Sequence, residues 1–205
     1  MLDFLKRTKI TPEKKFWNWI LENKDGLKKF IASDHSDLRI YNKLTKEMQK
    51  YNSLLFPEMT MTKDNECVLI ITPDGMPEGV SPTQKLYSEK PEIKNWIIKK
   101  FRQPTDESDL NYNGIAFPSS DVRILPIEKD LEKGIIHIKV FVRNLDSDLQ
   151  NYRTLAWLYL NHILGEFNTI TKVGVLEFLN LEKDIDVKGA ISILELRELI
   201  EKELY

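Results

Sequence analysis

Residues 135–179 read IIHIKVFVRNLDSDLQNYRTLAWLYLNHILGEFNTITKVGVLEFL, and this stretch decides the fold. It opens with strict alternation. Ile136, Ile138, Val140 and Val142 fall on one side, and His137, Lys139, Phe141 and Arg143 on the other. A period of two over that length predicts a strand with one firmly buried face. The pattern then becomes helical. Ser147-Asp148-Leu149-Gln150 fits a capping box, with a Gln three residues after a Ser. The segment that follows, Leu149 to Leu164, is apolar almost all round, which predicts a central buried helix. Gly165 is placed to end it, and Val173 to Leu179 reads as a second strand. Strand, helix, strand in this order is a βαβ unit of ferredoxin-like type.

Working outward, Thr11-Pro12-Glu13 is a helix start: Thr caps, Pro suits the first helical position, and Glu suits the positive end of the dipole. A second helix beginning near Ser36 carries a stripe of Leu38, Tyr41, Leu44, Met48 and Tyr51. Leu54 to Met61 and Cys67 to Thr72 read as a hairpin, and Asn95 to Arg102 as a further strand. Short strands are expected at Gly114–Phe117 and Val122–Leu125, and a last helix places Ile193, Leu196, Leu199 and Ile200 inward. The order predicts an α+β fold: a largely antiparallel sheet with helices mainly on one side. No repeat of fixed period stands out in the sequence.

The chain has 205 residues, which suits one domain. The polar connection Pro104 to Asp109 makes two lobes sharing a core, 1–103 and 104–205, the alternative. Charge divides at the same place. Residues 1–103 carry 19 basic and 14 acidic side chains, and residues 104–205 carry 11 and 18. The total of −2 provides no basic surplus, which disfavours nucleic acid as a partner. A single cysteine, Cys67, forbids an internal disulfide and suits a reducing compartment. The opening Met1 to Arg7 has no apolar run of signal-peptide length, and no stretch has the composition of a membrane span. A cytoplasmic protein is expected.

The usual catalytic signatures are missing: no phosphate-binding loop, dinucleotide fingerprint, nucleophile elbow or zinc-type Cys/His spacing occurs. No cofactor is expected. The histidines His35, His137 and His162 are scattered over three different elements. One pair has catalytic spacing. His162 and Glu166 are four apart, so a helix continuing through Gly165 would set them on one face. They would then form an acid–base couple, or two metal ligands completed by His137 or Glu177. The alternative is that His162 serves the helix terminus and Glu166 caps a backbone group. Asp121 and Arg123, two apart after Ser119-Ser120, would share a strand face and either bind a polar ligand or form an exposed ion pair. Trp17 and Trp19 must point to different sides of the first helix, which offers one of them as an anchor for a protein partner. Lys14, Lys15, Lys28 and Lys29 flank them, and an RNA surface is a third possibility.

Four segments in order resemble an uncharacterised family of bacterial cytosolic proteins. They are Phe16-Trp17-Asn18-Trp19-Ile20, the strand ending Pro73-Asp74-Gly75, Asn95 to Arg102, and Leu164-Gly165-Glu166. The resemblance covers most of the chain and brings no established activity with it. It implies special positions at Gly165 and Glu166. Strand order also resembles that of ferredoxin-like ribonuclease E inhibitors. A non-catalytic protein-binding or regulatory domain is the leading expectation. A hydrolase-like or metal-dependent enzyme using His162 and Glu166, and an RNA-binding or ribonuclease-inhibitor-like module, are the alternatives.

Overall fold

The computed structural model describes residues 10–33, 37–106, 109–112, 115–145, 148–181 and 187–205. Its fold is α+β. The sequence expectations at His35, Ser36, Gly114 and Ser147 lie outside the described residues. The chain divides into two compact units, Met1–Phe101 and Arg102–Tyr205.

The first unit opens with α1 (Pro12–Ala32), where the Thr11 side chain accepts a hydrogen bond from the Lys14 amide at 3.2 Å. Helix α2 (Arg39–Tyr51) follows. It buries Leu44 and Met48, while Leu38 precedes the helix and stays exposed. Strands β1 (Phe56–Met61) and β2 (Cys67–Thr72) pair antiparallel, with Phe56 opposite Thr72 and Met61 opposite Cys67. A 3-10 turn at Pro77–Gly79 leads into α3 (Val80–Ser88). The chain then returns as β3 (Trp96–Lys100), parallel to β2. Central β2 is apolar from Cys67 to Ile71 because both its faces are covered: its Val68, Leu69 and Ile71 are all buried.

The second unit begins with a short hairpin, β4 (Leu110–Tyr112) and β5 (Ile115–Phe117). Strand β6 (Val122–Asp130) pairs antiparallel with β7 (Ile135–Val142). Helices α4 (Leu149–Leu164) and α5 (Glu166–Lys172) form the crossover to β8 (Val173–Asn180), which lies parallel to β7. Ile191 bridges to Ile124 on the far side of β6, and α6 (Ile193–Glu203) closes the chain. The expected alternation in β7 is exact in burial: Ile136, Ile138, Val140 and Val142 are all fully buried. They pack with Leu155, Tyr159, Leu160 and Ile163 of α4 and with Leu196 and Ile200 of α6. The N-cap of α4 is Asp148, whose carboxylate accepts the Asn151 amide. A capping box does occur, at Ser192 and Glu195 of α6.

Each three-stranded sheet therefore combines one antiparallel and one parallel pair, in the same order of connection. Among the described residues no helix is long and apolar enough to cross a membrane.

Candidate functional site

The end of α4 is where sequence and structure meet most closely. The last turn of a helix leaves carbonyls without intrahelical partners. Here carbonyls near that end accept hydrogen bonds from elsewhere in the second unit. The Leu160 carbonyl accepts the Thr169 hydroxyl at 3.3 Å, the His162 carbonyl accepts the Thr105 amide at 3.0 Å, and the Ile163 carbonyl accepts Arg197 Nη1 at 3.4 Å. The segment Arg102–Asp106 is thereby held along the helix terminus. Arg197 strengthens the hold, donating to the Thr105 carbonyl at 3.1 Å and to the Asp106 carboxylate at 2.7 Å.

Gly165 is the pivot. Its φ of +77° and ψ of 149° are not helical, so α4 stops and α5 starts in a new direction. A Cβ at this residue would lie 2.9 Å from Pro104 Cδ and 3.0 Å from Pro104 N. Both the backbone angle and the close approach require glycine. The same pivot corrects the expectation for His162 and Glu166. Helical spacing does not continue through Gly165, so the two side chains do not share a face and no hydrogen bond joins them.

Glu166 is instead fully buried. Its Oε2 accepts the Arg102 amide at 3.1 Å, and its own amide donates to the Arg102 carbonyl at 3.0 Å. Arg102 Nη1 stands 3.8 Å from Glu166 Oε1, which places a cation beside the buried carboxylate. Glu166 thus clasps the residue with which the second unit begins. His162 takes the other side of the segment. It lines a cavity of about 270 Å³ together with Arg102, Gln103, Leu110, Leu158 and Asn161.

The remaining candidates go elsewhere. His137 does not approach this cavity's lining; its Nδ1 accepts the Val175 amide at 2.8 Å. That bond replaces a ladder bond where β8 carries an extra residue between its pairings at Val173 and Leu176. Gly174 makes room for it, since a Cβ there would lie 2.8 Å from the imidazole. Glu177 pairs with Lys139 at 3.3 Å. Among the described residues no group of three His, Cys, Asp or Glu side chains could hold a metal ion. Asp121 and Arg123 do not pair with each other. Asp121 sits in a 3-10 turn, Ser119–Asp121, and its carboxylate accepts Arg143 Nε at 3.0 Å, while Arg123 Nη1 donates to the Val122 carbonyl at 2.8 Å.

Trp17 is a core residue and corrects the expectation of an exposed anchor there. It is 3% exposed, stacks edge-on against Phe16, and its indole N–H donates to the Leu86 carbonyl at 2.9 Å. Trp19 is half-buried and packs on the same cluster. Cys67 is fully buried, and burial pushes its thiol above the ordinary value, which keeps it from acting as a nucleophile.

Sequence reading missed Arg102 and Asn161 as cavity residues. Asn161 did leave a signal, as a polar amide inside an apolar helix; Arg102 left none, because its role depends on a contact with residues distant in sequence. No family model, curated protein or solved structure matches the chain, so the family resemblance rests on the quoted segments alone.

Proposed function

We propose that this protein is a non-catalytic binding or regulatory protein of the cytoplasm, which works by engaging a protein partner through its folded surface. The observation that carries this reading is the placement of Glu166. The one carboxylate at catalytic spacing from a histidine is sealed and bonded to the Arg102 backbone. A general acid or base must reach a substrate proton, and this group does not. The sealed single thiol supports a reducing compartment.

With Trp17 in the core, the contact surface favoured here is the outer side of the β6–β7–β8 sheet. Register places Leu125 beside Lys139, Lys139 beside Glu177, and Phe141 beside Leu179 on this side. Val175 belongs to it and is 64% exposed on β8, the last strand of the sheet. An apolar residue on a terminal strand is the kind of position that strand-adding partners use. A photoreactive amino acid at Val175 tests this in living cells. One saturable cross-linked partner is expected, absent when the same group replaces Lys202 on α6. No specific product at Val175, together with a turnover that Glu166→Gln abolishes in a folded protein, would refute the reading. RNA binding that falls steeply with salt would favour the nucleic-acid alternative.

A further inference from the structure

We propose that the outer face of α2 docks an acid-rich helix of a protein partner, through the row Arg39, Lys43, Lys46 and Lys50. This surface belongs to the first unit and is additional to the β8 strand. All four residues are exposed, while Leu44 and Met48 on the other side of the helix are fully buried. Their spacing is four, three and four residues. Helical geometry sets them within about 60° of arc and along about 16 Å of axis. The acids near the row stand at its ends: Asp37 meets Arg39 at 2.6 Å, and Glu47 meets Lys50 at 2.5 Å. Among the described residues no ion pair reaches Lys43 or Lys46 in the middle.

The helix's own stability does not explain the row. Arg39 with Lys43, Lys43 with Lys46, and Lys46 with Lys50 are like-charge neighbours, which destabilise a helix. The first turn holds Arg39 and no acid, against the helix dipole. A partner's carboxylates would offset both effects. The same helix narrows the choice of polyanion. Its apolar side packs in the core, so none is left to enter a lipid surface. Single-stranded nucleic acid is held by aromatic rings beside the cations. Both tyrosines of α2 are turned away from the row: the Tyr41 hydroxyl donates to the Pro57 carbonyl at 2.7 Å, and the Tyr51 hydroxyl donates to the Pro82 carbonyl at 3.3 Å. Glutamates or aspartates at the same helical spacing would meet each cation in turn, and such charge complementarity fixes register and orientation.

The test uses the full chain at low ionic strength, where exposed charges are least screened. The probe is a synthetic helical peptide with glutamates four, three and four residues apart on one face. Its comparators are a scrambled peptide of the same composition, a single-stranded oligouridylate and vesicles containing phosphatidylserine. The patterned peptide is expected to shift the backbone amide resonances of residues 39–50 saturably, and to bind at least tenfold more tightly than the scrambled one. Lys43→Gln/Lys46→Gln should weaken binding at least tenfold and leave the protein as stable as wild type or more so. Lys188→Gln/Lys202→Gln, an equal change of charge in the second unit, should leave affinity within twofold. No saturable shift up to millimolar peptide, equal binding of the two peptides, or equal loss in the two double variants would overturn the proposal. Tighter binding of the oligonucleotide or the vesicles, lost in Lys43→Gln/Lys46→Gln, would also overturn it and assign the row to phosphate instead.

Discussion

Gly165 shows how much one residue can decide. Its positive φ redirects the chain between α4 and α5, and its missing Cβ admits Pro104. Replacing it with Ala should destabilise the protein by about 1–3 kcal/mol from backbone strain alone, before any clash with the proline. Denaturant unfolding of Gly165→Ala measures this, and a wild-type midpoint would contradict it. The glycine was legible as a helix stop because it ends an apolar run. The proline it admits was not, since that contact joins residues far apart in sequence. His137 teaches the same lesson. Alternation correctly put it on the outer side of β7, but the use of its lone pair for the Val175 amide follows from a bulge in the neighbouring strand.

At the scale of elements, α1 is fastened to α3 by two groups of different chemistry. The Trp17 indole bonds the Leu86 carbonyl, and the Glu13 carboxylate meets Lys85 at 2.8 Å. Hydrogen bonding from Lys85, and then from the helix's own first-turn backbone, holds the Glu13 carboxyl below its usual value against the opposing effect of burial. A carboxylate with a lowered folded-state value adds stability above the unfolded value of about 4.3, and that stability is lost as pH falls through the folded one. Lys85 is 69% exposed, so water screens the pair and its contribution is about 1 kcal/mol. Glu13→Gln should therefore lower the midpoint of thermal unfolding at neutral pH, and the gap to wild type should close as the pH drops below 4. A gap that persisted in acid would contradict the pair's role. The Thr-Pro-Glu start of α1 was plain in the sequence; the burial of its Glu was not, because an acid in a first helical turn usually faces solvent. The helical stripe likewise identified α2 correctly, but assigned Leu38 to it although the helix begins only at Arg39.

At the scale of the whole chain, the two units repeat one plan: an antiparallel hairpin, a helical crossover, and a third strand parallel to the second. No repeat was visible in the residues, and the reason is physical. The three strands have 6, 6 and 5 residues in the first unit and 9, 8 and 8 in the second. Strand β2 is buried on both faces and reads as a continuous apolar run, whereas β7 alternates. Equivalent strands thus carry different patterns. The first unit contains its own reporter in Cys67, fully buried at the start of β2. A thiol reagent should label it slowly under native conditions and completely in denaturant, with the native rate following the opening of that unit. Rapid native labelling would show the thiol to be accessible after all.

The central claim is that Glu166 is a structural clasp, and paired substitutions test it most directly. Glutamine keeps an acceptor for the Arg102 amide, while alanine removes it. Unfolding free energies with amide hydrogen exchange at Arg102 should therefore rank wild type above Glu166→Gln and Glu166→Gln above Glu166→Ala. The losses expected are about 1–2 kcal/mol for Gln and about 3–5 kcal/mol for Ala, with Arg102 protection falling in step. Equal, wild-type stability and protection in both variants would contradict the account and return Glu166 to the list of catalytic candidates.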